Sequence, residues 1–306
     1  MTIICLFNPA HNGDVLFSSK IVDVIVKSNP HLSFKISPSC SSILFEHLVS
    51  ENVEIIDYPN KWIFDNNEEI KKMDKIQEHL ANICNTLWSY YQGDLFINLW
   101  QLMLINQNNC SDLSNRVEIV KLLFQEIHKN TGVLLEFHAT QYKELIPVIP
   151  QFDLSTLIEK INAIVQERNI VYNKRIMFFN LLGKSGTECF CPTYNDDFIT
   201  NLLHNEKDTL IIVPDHCDIK HPYLISLMDD CDIQKEHNGK SIVIYANFCN
   251  TCDTVYFKNN GGSLFQLNQV NLANKHTKYV YLNECDSYYD SFKNVYGLHI
   301  FTPMNI

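Results

Sequence analysis

The sequence predicts an α/β fold of two doubly wound lobes, and three observations carry that prediction. The chain has 306 residues, enough for two domains at about 150 residues each. Its opening stretch alternates strand-like and helix-like segments, the pattern of a parallel sheet with crossover helices. After Leu145-Ile146-Pro147-Val148-Ile149-Pro150, where two prolines break regular structure, the alternation restarts. The expected domains are therefore 1–150 and 151–306, joined through that stretch.

The elements follow in order. Residues 2–7 are a short apolar run closed by Asn8-Pro9, hence a buried strand. Asn12-Gly13-Asp14 reads as a turn into a helix that Asn29-Pro30 ends, with Leu16, Ile21, Val24 and Ile25 on its apolar side. Residues 32–36 are a second strand, 41–48 a helix and 53–56 a third strand. Ile70, Met73, Ile76, Leu80, Ile83 and Leu87 recur every three or four residues and predict one amphipathic helix over 68–91. A strong strand over 94–100 and a helix over 117–129, stopped at Asn130-Thr131-Gly132, complete the first lobe. In the second lobe a helix is expected over 155–168. Strands are expected over 175–180, 209–213, 241–246, 254–257 and 279–282.

Lys and Arg total 24 against 35 Asp and Glu, a net charge of −11. So acidic a chain lacks the positive field that non-specific nucleic-acid or anionic-membrane binding needs. No apolar run approaches the ~18 residues of a membrane span, and the N-terminus lacks the basic flank and long apolar core of a signal peptide. With 11 scattered cysteines, free buried thiols and a cytoplasmic, reducing location are expected.

Four constellations bear chemistry. In Asn8-Pro9-Ala10-His11-Asn12-Gly13-Asp14, the loop after the first strand, Asp14 is a candidate general base or a helix-capping carboxylate, with His11 beside it. In Leu181-Leu182-Gly183-Lys184-Ser185-Gly186, a lysine flanked by glycines can approach a phosphate, although the spacing is not that of a Walker A loop. In Asn259-Asn260-Gly261-Gly262-Ser263-Leu264-Phe265, the glycines read as a loop feeding a helix N-terminus, a second phosphate cradle. Cys189, Cys191, Cys249 and Cys252, with His216 and Cys217 between the pairs, have the donor types for structural zinc, but the pairs lie far apart and buried thiols are the simpler reading. No metal site is expected.

Taken together, Asn12-Gly13-Asp14-Val15-Leu16-Phe17 and a helix closed by Lys27-Ser28-Asn29-Pro30 resemble the opening of the heptosyltransferase-like glycosyltransferases of family 9, which have the GT-B fold. Gly93-Asp94-Leu95-Phe96-Ile97-Asn98-Leu99 looks like their mid-domain strand. Lys184 followed by Cys191-Pro192 resembles their phosphate-binding lysine and next helix start. Cys252-Asp253-Thr254-Val255-Tyr256 leading to Asn259-Asn260-Gly261 resembles their donor-loop strand. The chain departs from the pattern where Asn259 stands for the donor-loop Asp, Leu264 or Phe265 for a following His, and Cys191 for the Trp before the proline.

The resemblance implies two Rossmann-like domains facing across a cleft and an inverting, metal-independent glycosyltransferase. A hydroxyl of a glycan or other acceptor would bind the first domain and a nucleotide-sugar the second, as co-substrate with no further cofactor. Asp14 and His11 are then the catalytic candidates. Lys184, Gly261, Gly262 and Ser263 would bind the donor phosphates, and Asn259, Asn260 and Asp215 the nucleotide. The departures motivate an alternative, a non-catalytic nucleotide-sugar or glycan-binding protein of the same fold. A third reading is a different α/β enzyme that uses a nucleotide or a phosphorylated metabolite, a class that includes nucleotide-sugar epimerases of GT-B fold.

Overall fold

The computed structural model describes residues 2–10, 12–56, 75–102, 115–179, 192–234, 236, 238–257, 263–283 and 301–305. The chain divides into two compact units, Met1–Val148 and Ile149–Ile306.

The first unit holds β1 (Ile3–Asn8), α1 (Asn12–Ser28), β2 (Ser33–Pro38), β3 (Val53–Ile55), α2 (Lys75–Asn82), β4 (Trp88–Tyr91), β5 (Asp94–Asn98) and α3 (Arg116–Thr131). Its five strands run in the order β3-β2-β1-β5-β4. β1 pairs in parallel with both β2 and β5, and β4 lies antiparallel at the edge. Alternate residues of β1 serve opposite faces: Cys5 and Phe7 pack with Phe96 under Leu80, Ile83 and Cys84 of the α2 region.

Two expectations fail here for local reasons. The helix over 68–91 is confined, among the described residues, to Lys75–Asn82. Trp88–Tyr91 is instead a strand, because Gln92 at φ 53° and Gly93 at φ 93° turn the chain straight back onto Asp94–Asn98. The helix over 41–48 is two 3-10 turns, Ser42–Leu44 and Glu46–Leu48, separated by Phe45 at φ −114°, too extended for an α-helix. Asn12, Gly13 and Asp14 belong to the first turn of α1, one step further into the helix than the turn expected.

The second unit holds α4 (Ser155–Glu167), β6 (Lys174–Phe179), α5 (Pro192–Asn205), β7 (Thr209–Val213), β8 (Leu224–Ser226), α6 (Lys240–Phe248), β9 (Thr254–Phe257), α7 (Gln269–Ala273), β10 (Lys278–Asn283) and β11 (Phe301–Asn305). Its sheet is parallel throughout, in the order β11-β10-β9-β6-β7-β8. That is the dinucleotide-fold order, with the direction of winding reversing between β6 and β9. Ile176, Phe178, Ile211, Val213, Tyr256, Val280 and Leu282 line one face, where Phe198, Ile199 and Leu202 of α5 cover them.

The strand expected over 241–246 is the interior of α6. Its apolar run is buried on most sides, so periodicity cannot separate strand from helix. Gly239 at φ 84° sets the start, and Asn247 fixes α6 to the incoming chain, accepting from the Phe152 N–H and donating to the Pro150 carbonyl.

Candidate functional site

In a parallel sheet, ligands collect beyond the carboxyl ends of the strands where the winding reverses. In the first unit that point lies between β1 and β5, and both strands end in a fully buried asparagine, Asn8 and Asn98. A buried amide must be hydrogen-bonded, and these are. Asn8 Oδ1 accepts from the Ala10 N–H at 3.0 Å and its Nδ2 donates to Ser18 Oγ at 3.0 Å, pinning the loop to α1. Asn98 Oδ1 accepts from the N–H groups of Trp100 and Gln101, each at 3.1 Å, and its Nδ2 donates to the Cys84 carbonyl at 2.9 Å.

The end of β2 joins this network. The Ser39 N–H donates to the Asn8 carbonyl at 2.9 Å, and Ser39 Oγ donates to that of Ala10. Ser41, held at φ 53°, donates through Oγ to Asn12 Oδ1 at 2.6 Å. The first turn of α1 is thus fixed from below by β1 and from the side by residues 39–41.

Asp14 stands half-buried in that turn, where the helix N-terminus favours a carboxylate. Cys40 is its electrostatic neighbour. Burial pushes the Cys40 thiol up to about 11; hydrogen bonds with Ser39 and Ser41 oppose the shift, and the Asp14 charge adds to it. Cys40 is therefore a neutral thiol at physiological pH. Asn98 and the serines 18, 39 and 41 were not expected at the site. Their signal is a polar residue closing an apolar strand, or a serine on a buried helix face. His11 lies outside the described residues.

In the second unit the corresponding point lies between β6 and β9, whose carboxyl ends are register neighbours, Phe179 beside Phe257. The segments holding Lys184 and Asn259-Asn260-Gly261-Gly262 continue from these two adjacent strand ends; those residues themselves lie outside the described ones. Ser263 opens a 3-10 turn, Ser263–Gln266, and not the α-helix expected. Asn268 ends the turn, its Oδ1 accepting from the N–H groups of Val270 and Asn271 to cap α7. The long helix after a switch-point strand is α5, which starts at Pro192, a residue suited to a first helical position. Asp215 lies beyond β7, one strand from the switch point. It is buried, and its carbonyl accepts from Ser226 Oγ at 2.8 Å.

No protein-family model matches the chain, and no curated protein matches it. Solved glycosyltransferase structures do match, at low identity. A glycosyl transferase of family 9 from Veillonella parvula is 12% identical with a TM-score of 0.43, over 99% of this chain and 86% of that one. The E. coli heptosyltransferase WaaC, solved with ADP, is 11% identical with a TM-score of 0.43, over 99% and 94%. A putative UDP-N-acetylglucosamine 2-epimerase from Listeria monocytogenes is 11% identical with a TM-score of 0.44, over 93% and 80%.

Away from the switch point, a cavity of about 520 Å³ lies along the β8 edge, lined by Arg168, Cys217, Lys220, His221 and Asp229 among others. Of the expected site residues that the structure describes, Asp14, Asp215 and Ser263, none lines it. His216, just outside, is bonded to Asp229 and Asp218, both at 3.0 Å, and these hydrogen bonds raise its pKa. Cys249 and Cys252 sit in the core of the second unit. The Cys249 thiol donates to the Tyr245 carbonyl, and burial pushes Cys252 up to about 12. Cys189 and Cys191 lie outside the described residues. Among the described residues no group of three or more His, Cys, Asp or Glu side chains could hold a metal ion, and no helix is long and apolar enough to cross a membrane.

Proposed function

We propose that the chain is an inverting, metal-independent glycosyltransferase that moves a sugar from a nucleotide-sugar to an acceptor hydroxyl. The observation that supports it is the paired switch points. Asp14 stands in a braced helix turn at the first, and two glycine-containing segments, one with Lys184, continue from the adjacent strand ends β6 and β9 at the second.

The chemistry sets what each must do. The attacking hydroxyl loses its proton as it bonds to the anomeric carbon, and Asp14 takes that proton. The departing nucleoside diphosphate gains negative charge on the opposite face. Lys184, the backbone N–H groups at Gly261, Gly262 and Ser263, and the N-terminus of α5 stabilise it. Asn259, Asn260 and Asp215 complete the nucleotide side. Free buried thiols such as Cys5, Cys249 and Cys252 suit a cytoplasmic setting.

Asp14→Ala tests the base. A first-turn carboxylate contributes up to ~1 kcal/mol to stability, so the variant should fold. Transfer should fall about 10²–10⁴-fold, the range for loss of a general base. Transfer at the parent rate by a folded Asp14→Ala variant would remove Asp14 from the mechanism. Asn259, in place of the family's donor-loop Asp, favours the second reading, a binding protein. That reading predicts nucleotide binding with no transfer from any donor.

A further inference from the structure

We propose that Arg116 and the first turn of α3 form an oxyanion-binding subsite in the first unit, receiving a phosphoryl or carboxylate group carried by the acceptor. The word acceptor rests on the transferase reading; the anion site does not.

Arg116 is 93% buried, the first residue of a 16-residue helix. Burying a guanidinium is costly unless a counter-charge accompanies it. Asp23, buried inside α1, obeys that rule: it is bonded to Lys20, Lys27 and His47. Arg116 has no such partner among the described residues. Its Nη1 donates to the neutral Tyr142 hydroxyl at 3.2 Å, and its guanidinium lies 5.4 Å from the Tyr142 ring and 5.9 Å from that of Phe17. Its Nε is buried with no hydrogen-bond partner among the described residues. Two ring faces attract a cation less strongly than desolvation penalises it. A bound oxyanion supplies the missing charge, and the fork of a guanidinium fits such a group in two-point fashion.

The helix end reinforces this. Asn115, at the N-cap position, makes no side-chain capping bond, so it occupies none of the first-turn N–H groups of α3. Glu118, the acidic residue of that turn, is exposed.

The subsite also lies toward the end of α1 that carries Asp14. Phe17, under the guanidinium, is three residues after Asp14, hence one turn along the same side of α1. The chain leaving α3 reaches the other end of α1, where Asn29 Nδ2 donates to the Glu136 carbonyl at 2.9 Å and its Oδ1 accepts from the Glu136 N–H at 2.8 Å. A base and an anion receptor at the same end of one helix would hold a hydroxyl-bearing anion in a fixed pose.

The test is thermal unfolding of the full chain with inorganic phosphate, and separately with acetate, against sodium chloride at equal ionic strength. The parent is compared with R116M, which keeps the length and loses the charge, and R116K, which keeps the charge and loses the fork. Each is repeated with a saturating nucleoside diphosphate, which occupies any phosphate site of the second unit. We expect phosphate to stabilise the parent, R116M to bind it at least about tenfold more weakly through loss of the charge-assisted pair, and R116K to fall between. R116M should melt no lower than the parent in chloride. An acetate response adds carboxylates to the class; phosphate alone restricts it to phosphoryl groups. No anion response in the parent, an equal response in R116M, or an R116M that unfolds in chloride overturns the subsite, the last by making Arg116 a structural staple. Failure of every nucleotide to bind would remove the transferase reading and leave the anion result standing.

Discussion

The two strands that flank the first switch point end in buried asparagines; the two that flank the second end in buried phenylalanines. Asn8 and Asn98 each use both ends of the side-chain amide to fix the backbone that follows. Phe179 and Phe257 are wholly buried and offer the segments beyond them no hydrogen bond from a side chain. The first unit thus builds its edge from side-chain hydrogen bonds that hold Asp14 before any ligand arrives. The second puts its stability into an apolar sheet whose strand ends carry side chains that cannot hydrogen-bond. A base must be placed to within a fraction of an ångström to take a proton. A diphosphate can be held by backbone N–H groups that order around it.

Breaking the polar brace should have the largest effect on stability. Asn98→Ala removes the amide that bonds the Cys84 carbonyl and the Trp100 and Gln101 N–H groups, while the Cys84 carbonyl keeps its bond from Gln101 Nε2 at 3.0 Å. The expected cost is about 2–4 kcal/mol, from the loss of three hydrogen bonds around a buried amide, read by urea unfolding. A cost below half a kcal/mol would mean that the asparagines brace nothing.

The next effect depends on pH. Burial opposes ionisation of Asp23, but hydrogen bonds from His47, Lys20 and Lys27 outweigh it and hold the carboxyl well below its ordinary 3.8. A carboxyl depressed in the folded state stabilises above its unfolded value and ceases to do so as pH falls below it. Asp23→Ala should therefore cost about 1.5–3 kcal/mol at neutral pH, as for hydrogen bonds to a charged group. The gap to the parent should close as the pH drops below 3.8. A gap independent of pH would show that the carboxylate charge is not what ties residue 47 to α1.

The smallest effect is at the edge hairpin. Gly93 has φ 93°, and a Cβ there would meet nothing within 4 Å, so Gly93→Ala meets only a backbone penalty, about 1 kcal/mol. A cost near zero would indicate that the β4–β5 turn differs from the one described.

These elements also show what the sequence makes legible. β7 and β9 match their expected spans because an apolar, β-branched run bounded by polar residues has few other homes in a parallel sheet. Residues 241–246 have the same composition, yet they lie in α6, where burial removes the contrast between faces. The periodicity over 68–91 runs smoothly through Trp88–Tyr91, and only the positive φ angles at Gln92 and Gly93 reveal a hairpin. β8 and β11 were not anticipated. β8, with three residues, is too short for any period to register. At the site, Asp14 is marked by its neighbours Asn12 and Gly13. Arg116 is marked by nothing, since its burial, and its lack of a counter-charge among the described residues, exist only once α1, α3 and Tyr142 have packed.

Under the proposed function, the second switch point takes a nucleoside diphosphate while the first supplies the base. This is tested most directly by measuring binding of UDP, GDP, ADP and CMP to the parent, Lys184→Ala and Asp14→Ala proteins by calorimetry. The account predicts that one nucleotide binds the parent, binds Asp14→Ala equally well, and binds Lys184→Ala about tenfold or more weakly, as loss of one phosphate-paired cation implies. Equal binding to Lys184→Ala, or no nucleotide binding to the parent, would contradict it.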